Sequence, residues 1–507
     1  MKHKKIFFDV LLVVVVIMIG FSLYRFMCSP RLPCLCTSMR FDRYVSDVMD
    51  TLHVPGLAIA VVHNNDIVCM KGYGVREIGT SDAVTTETIF PIGSCTKAFT
   101  AAALGLLVDE GKIDWDDTIH TFFPDFTLYD PYVTRELTIS DMLSHRSGIE
   151  DSGLLYYRTH FSREELVHKL RYLKPAVGFR VSGVYSNLMY LTSGQIIPAV
   201  TGQSWDDFVT QRLLMPLGMK NSSTSITAFT NTMNLAKPHM IIDGEVRSIP
   251  FLNIDNAAPA GSINATIADM ACWVKMLVNN GNYDGVQIIK PETVEYMHSP
   301  QSIMGKGHPY GLYGLGWGLS DYNGHKTISH KGSIDGMSSI VGLLPDKKLG
   351  IVVITNMHES DARSLIMNYI FDWYLGVHRA DDWKKDVHDK EEKMVLSKAQ
   401  EKQKNESKRV VGSIPSLGLD VYVGKYSNDL YGDVIITHDE GHLQCMFLAF
   451  KGVMQHWYDD VFMFDSSHDY PTIGDQFLLQ FQIKNNQVNA VSIKISETTE
   501  SVFKKIK

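Results

Sequence analysis

Two apolar runs that read as strands, Gly56–Val62 (GLAIAVV) and Leu349–Thr355 (LGIVVIT), lie far apart with helix-patterned sequence between them. Each has companions. Ile67–Lys71 follows the first across the polar turn His63-Asn64-Asn65-Asp66, and Lys326–His330 and Ser338–Leu344 precede the second, with Pro345, Asp346 and Lys347 marking the turn into it. Strands at both ends with helices between them predict an α+β fold. Its antiparallel sheet is assembled from distant parts of the chain and flanked by helices, with a helical subdomain.

The helical stretches are Arg40 to about Val54, Ser94–Glu110, Thr138–Leu143, Ser162–Tyr172, Asn187–Val200, Trp205–Leu214, Thr266–Asn279 and Asp361–Leu375. In Ser94–Glu110 the spacing of Phe99, Ala102, Leu106 and Leu107 turns one face to a core, and Gly111 ends the helix. From Asp381 to Arg409 the composition becomes dense in Lys and Glu, the mark of a solvated helix or linker, and a domain boundary belongs there. Beyond it, Val434–Thr437 and Leu443–Phe447 flank an Asp439-Glu440-Gly441 turn, and alternating runs at Phe477–Ile483 and Val491–Ile495 flank Asn485-Asn486. This predicts a small all-β module, a meander or barrel.

With 507 residues, 45% of them apolar, the chain can bury a large core and a second, smaller one. Lys plus Arg number 48 against 56 Asp plus Glu, giving a net charge of −8 with no long basic run. That balance argues against a nucleic-acid partner. The seven cysteines (Cys28, Cys34, Cys36, Cys69, Cys95, Cys272 and Cys445) lack C-x-x-C spacing, so no metal or redox site is read from them. Cys28, Cys34 and Cys36 could be lipidated, disulfide-bonded or free. The nearest approach to a metal cluster, His438-Asp439-Glu440-Gly441-His442, falls in the predicted hairpin turn.

At the N-terminus, Lys2, Lys4 and Lys5 precede the apolar stretch Ile6–Tyr24, with no small-x-small cleavage site after it. This predicts an uncleaved signal anchor and a single-pass membrane protein with its body lumenal or extracellular; cleavage would instead make it secreted. Sequons at Asn221, Asn264 and Asn405 are compatible with that topology.

Three short motifs bear chemistry. In Gly93-Ser94-Cys95-Thr96-Lys97 a serine hydroxyl is followed three residues later by a lysine on the same helix face, where burial can lower its pKa enough for it to act as base. Ser-x-x-Lys alone is common, and an N-cap serine with a surface lysine would look the same. In Tyr185-Ser186-Asn187, a phenol beside a lysine can shuttle protons, and the amide can hold a substrate carbonyl or orient the lysine. In His330-Lys331-Gly332-Ser333, at a strand end, Gly332 allows close approach and the Ser333 N–H could join that of Ser94 as an oxyanion hole. His330 there could face a substrate carboxylate or the tyrosine.

In that order, Ser-x-x-Lys, Tyr-x-Asn and His-x-Gly resemble the active-site elements of class C β-lactamases and their penicillin-binding and esterase relatives, over roughly Phe41 to Gly376. Leu143-Ser144-His145-Arg146-Ser147-Gly148 and Pro259-Ala260-Gly261-Ser262, leading to Asp269 and Trp273, add to the resemblance. It implies a β-lactamase/transpeptidase-like fold and no cofactor. Ser94 would be acylated, Lys97 and Tyr185 would act as bases, and Asn187, His330, Gly332 and Ser333 would bind a small peptide, amide or ester. His330 stands where class C β-lactamases carry lysine, which points to peptidase, D-aminopeptidase or esterase activity with at most weak β-lactamase activity. The C-terminal β module resembles the lipocalin-like domain of several such enzymes. The expected organisation is an anchor and juxtamembrane segment at 1–40, the hydrolase domain at 41–380, a charged linker at 381–415 and the β domain at 416–507. Because filament-forming animal relatives exist, a catalytically dispensable scaffold is the alternative. The oligomeric state is not legible in the sequence.

Overall fold

The structure is a computed structural model and describes residues 35–230, 233–305, 311–377, 383–466, 476–495 and 500–506. The chain divides into two units, Met1–Tyr44 and Val45–Lys507. All that follows concerns the second unit unless stated.

Eight antiparallel strands form the main sheet: β1 (Gly56–His63), β2 (Asp66–Gly74), β3 (Ser302–Ile303), β4 (Leu312–Tyr313), β5 (Gly318–Tyr322), β6 (His325–Ile334), β7 (Met337–Leu344) and β8 (Leu349–Thr355). Their order across the sheet is β2-β1-β8-β7-β6-β5-β4-β3, so the early hairpin pairs directly with the last strand, Ala60 opposite Val352. The predicted sheet from two distant parts of the chain is therefore present. Strands β1, β7 and β8 are buried almost throughout. They need cover on both faces, and two helices supply it. Helix Ile267–Val278 approaches one face at Gly350, where an added Cβ would lie 2.2 Å from Val274. Helix Ala362–Leu375 approaches the other at Gly342, where it would lie 2.4 Å from Met367.

Between β2 and β3 lie the helices α1 (Thr96–Asp109), α2 (Asn187–Gly194) and α3 (Ile267–Val278), with shorter helical turns; α4 (Ala362–Leu375) and α5 (Trp383–Glu406) follow β8. Two predicted helices are interrupted. The run expected over Asn187–Val200 breaks at Gln195 and resumes as Ile196–Thr201, because Pro198 has no N–H to donate and its ring crowds the carbonyl four residues back. The run expected over Trp205–Leu214 is α-helical only to Val209 and continues as a π-helix.

The C-terminal β module is a closed barrel of β9 (Gly424–Asn428), β10 (Gly432–Asp439), β11 (His442–Phe447), β12 (Phe450–Tyr458), β13 (Val461–Asp465), β14 (Gln476–Lys484), β15 (Gln487–Lys494) and β16 (Glu500–Lys505). Alternation puts Val434, Ile436, Leu443, Cys445 and Phe447 inside. An eight-stranded barrel is narrow enough for side chains to fill. Here Tyr426, Phe447, Phe477, Phe481 and Phe503 are buried in ring-to-ring contact, as in the edge-on pair Phe447–Phe477 at 5.9 Å. The predicted turns are tight two-residue hairpins with positive φ at both central residues: Asn64 and Asn65, Glu440 and Gly441, Asn485 and Asn486.

Two expectations are corrected. Among the described residues no helix is long and apolar enough to cross a membrane, which overturns the single-pass membrane protein and its membrane partner; Ile6–Tyr24, Cys28 and Cys34 lie outside the described residues. Asn264 is 1% exposed, on a short strand, and its Nδ2 donates to Ser262 O, so this sequon is closed to a glycan in the folded protein. In the second unit Cys69 is disulfide-bonded, whereas Cys95, Cys272 and Cys445 are free.

Candidate active site

Ser94 sits in a tight 3-10 turn, Gly93–Cys95, between the short strand Ile89–Pro91 and α1. That strand pairs with Asn264–Thr266, and Ile92 N donates to Ile263 O at 2.9 Å. The pairing brings the helical turn Ala258–Gly261 against α1. On its other side the serine turn meets β6. Gly93 has φ +52° and an added Cβ there would fall 2.8 Å from Ser333 N; one at Gly332 would fall 2.0 Å from Ile92 O. Only glycine permits this approach at either position.

Lys97, in the first turn of α1, is fully buried. Its Nζ lies 3.0 Å from Ser94 Oγ, 2.5 Å from Asn187 Oδ1 and 2.8 Å from Ala260 O. The rings of Tyr185 and Tyr190 stand 4.8 and 5.4 Å from it. Burial brings the ammonium down to about 7, against the opposing pull of Asp151 and Cys95, which favour the charged form. The three oxygens suit either protonation state. An ammonium donates to all three, whereas a neutral amine donates to Asn187 and Ala260 and accepts the Ser94 hydroxyl proton. An amine so placed can take a proton from that hydroxyl.

Asn187 is held on its far side by residues that no sequence motif marked. Asp151 Oδ1 accepts from the backbone N–H of Asn187 and Leu188 at 3.0 and 3.2 Å, capping α2, while Asp151 Oδ2 accepts from Asn187 Nδ2 at 2.8 Å. Tyr156 accepts a second bond from Asn187 Nδ2 at 2.8 Å and donates to Asp151 Oδ2 at 2.6 Å. Burial, and next the neighbouring Asp151 charge, push the Tyr156 phenol well above its ordinary range, so it keeps the proton it donates. Both Asn187 donors are thus spoken for, which leaves Oδ1 for Lys97.

Tyr185 leans on His145, ring centroids 4.4 Å apart. His145 adopts φ +63° and its Nδ1 accepts from Ser186 N at 3.1 Å, which fixes the backbone between Tyr185 and Asn187. The motif around it is anchored by Asp141, a buried carboxylate. Burial alone would raise its pKa, yet Arg180 and Arg146 hold it below the ordinary carboxylate value.

On β6, His330 is 2% exposed. Its Nδ1 donates to Lys331 O at 2.7 Å, and its Nε2 lies 2.7 Å from Tyr313 OH, a hydroxyl that can either donate to it or accept from it. Its ring is 6.4 Å from that of Tyr185. Arg363 of α4 donates to Gly332 O and, at 3.0 Å, to Ser333 Oγ, which braces the strand end beside Ser94. All seven sequence-predicted site residues therefore converge on one place. Asp151, Tyr156, Ala260 and Arg363 join them.

Residues 41–370 match the Beta-lactamase family, and residues 408–505 match DUF3471, a domain of unknown function. The chain belongs to the β-lactamase family, whose members are generally serine hydrolases. It is 28% identical over 425 residues to the Unguisins hydrolase ungD' of Aspergillus campestris, covering 79% of this chain and 78% of the relative. It is 29% identical over 313 residues to penicillin-binding protein 4 of Amycolatopsis lactamdurans, covering 60% and 81% respectively. Among solved structures, the octameric penicillin-binding protein homologue from Pyrococcus abyssi superposes with a TM-score of 0.62 at 22% identity, over 92% of this chain and 99% of that one.

Proposed function

We propose that the protein is a serine hydrolase that forms an acyl-enzyme on Ser94 and releases it to water, acting on an amide or ester of a small peptide or D-amino-acid compound. One observation carries this reading: Lys97 Nζ stands 3.0 Å from Ser94 Oγ where burial brings its pKa to about 7. As the neutral amine, Lys97 takes the hydroxyl proton while Oγ attacks the substrate carbonyl. The oxyanion that forms is received by the backbone N–H groups of Ser94 and Ser333, which the Gly93–Ser333 contact keeps adjacent. Tyr185, beside the lysine, passes the proton to the leaving nitrogen or oxygen, and Asn187 orients Lys97. His330, Gly332 and Ser333 form the wall along which the substrate lies. Water then attacks the ester carbon and gives a proton to the same bases, which return it to Ser94 Oγ as the ester bond breaks and the acid product departs. Family membership and the hydrolase name of the Aspergillus relative support the reaction class.

Incubation with a fluorophosphonate or penicillin probe, followed by peptide mass mapping, is expected to place the adduct on Ser94 and to find none in Ser94→Ala. Folded wild-type protein unreactive at Ser94 would overturn the reading. A panel of D-aminoacyl amides, short esters and cephalosporins then ranks the substrates.

A further inference from the structure

Between the predicted motifs runs a segment, 148–161, whose only regular structure is the 3-10 turn Gly153–Leu155. Its side chains divide their contacts between the candidate site and the barrel. Asp151 reaches Asn187, and the next residue, Ser152, places its Oγ 3.1 Å from the hydroxyl of Tyr431, which is buried in the barrel between β9 and β10. Tyr156 reaches Asn187 and Asp151. The next residue, Tyr157, lies parallel to Phe450 of β12, centroids 6.4 Å apart, and donates to Asp335 Oδ2 at 2.7 Å. Asp335 follows Ser333 by two residues, so the segment ties down both walls of the site. The barrel is fastened again from the adjacent helix Arg163–Lys169, where Lys169 Nζ donates to Asp429 O and Leu430 O at 3.1 and 2.8 Å.

Resting on the hydrolase reading above, we propose that Asp151 and Tyr156 are positioning residues that hold Asn187 against Lys97. The barrel, through Tyr431 and Phe450, fixes the strap that carries them, so barrel docking sets the rate at which Ser94 is acylated. The barrel interior is packed with aromatic side chains, which suits a rigid brace. The Asn187 amide needs the brace, because Nδ2 must be held by acceptors for Oδ1 to face the lysine. Asp151 also contributes charge. The groups facing Lys97 are Asp151 of the strap, Cys95 on the preceding turn, Tyr185 just before α2 and Tyr190 within it; Tyr156 stands behind Asn187, His145 behind Tyr185, and His330 beyond Tyr185 on β6. Of these, Asp151 exerts the larger named pull toward the charged lysine.

The test uses the full chain and reads the second-order rate of Ser94 acylation by the penicillin or fluorophosphonate probe against pH. Asp151→Asn is expected to slow acylation by about tenfold to a hundredfold, the scale of a small misplacement of a reacting group. It also moves the acid limb to lower pH, because Lys97 loses the negative charge that favours its protonated form. A variant that merely folds less well would lose amplitude without moving the limb. Tyr156→Phe keeps the ring and is expected to slow acylation in the same direction, which keeps the test open should Asp151→Asn fail to fold. Ser152→Ala and Tyr431→Phe are each expected to lower the rate, and the double variant to lower it no further than either. An unmoved acid limb in Asp151→Asn together with a wild-type rate in Tyr156→Phe overturns the positioning role. Wild-type rates in folded Tyr431→Phe and Ser152→Ala overturn the barrel's part. Failure of wild-type protein to label at Ser94 is a different result and overturns the hydrolase reading itself.

Discussion

A neutral amine at Lys97 has one lone pair, and Ser94 Oγ is a hydroxyl partner for it; Asn187 Oδ1 and Ala260 O are carbonyl-type oxygens. Activity carried by that lone pair is expected to fall about tenfold per pH unit below about 7. Lys97→Met is expected to remove this limb and about 10²- to 10⁴-fold of the acylation rate, measured by rapid mixing with the probe. Stability carries an imprint of the same sign at higher pH. The folded pKa of about 7 lies below the ordinary 10.5, so between those values the unfolded chain holds a proton that the folded one lacks, and stability rises with pH. Urea titrations across that window are expected to show the slope in wild type and a reduced one in Lys97→Met. Gly332→Ala tests the close approach of β6: its Cβ would meet Ile92 O, and acylation is expected to collapse and the urea midpoint to fall. At this scale the sequence was informative where candidate residues stand a few positions apart, as Ser94 with Lys97 and Tyr185 with Asn187, which the fold brings together. Asp151 and Tyr156 escaped because an acid and a tyrosine in an irregular loop carry no periodicity, and their meaning comes only from where α2 begins.

The element that orients Tyr185 and Asn187 is a short helix with a carboxylate at its N-terminus, reached through a loop pinned by ions. Asp141 has no exposed side-chain surface and binds both Arg146 and Arg180, which flank the His145 and Tyr185 segments. Asp141→Ala is expected to cost about 3 kcal/mol at neutral pH, since removing one member of a buried ion cluster leaves the others uncompensated. Because the Asp141 pKa is depressed in the fold, its contribution is present above the ordinary carboxylate pKa and is lost as pH falls through the lower folded value. Urea midpoints at neutral and acid pH check both statements; the wild-type and Asp141→Ala curves should draw together in acid. Hairpins were the legible elements, because Asn64-Asn65, Glu440-Gly441 and Asn485-Asn486 are turn chemistry with a fixed backbone consequence. The break at Gln195 and the π-turn after Val209 were not. Apolar periodicity continues through both, while Pro198 and the packing of Gly194 against Pro259 decide where the helix stops.

On the scale of the molecule, one buried apolar cluster runs from Ala58 on β1 through the helices to Phe503 in the barrel. The barrel is joined to the hydrolase body by packing as well as by sequence. A single cooperative transition is therefore expected for residues 45–507, with Trp457 in the barrel and Trp273 in α3 reporting the same midpoint; two separated transitions would contradict a shared core. Phe477→Ala is expected to lower that common midpoint, at a cost of about 3–5 kcal/mol. The two-ended sheet was legible because both of its ends are apolar strands. The docking of barrel on strap was not, since it rests on single contacts such as Ser152 with Tyr431.

The pairing of β1 with β8 carries a consequence in time. A ribosome delivers Ser94 and Lys97 long before it delivers Gly332, Ser333 and the last strand of the sheet, and β1 has no central neighbour until Leu349–Thr355 emerges. Such long-range pairing is slow to form. On the proposed reading, a half-made chain holds a serine and a lysine but no second wall to receive an oxyanion, so it is expected to be inert until Leu349–Thr355 has joined the sheet.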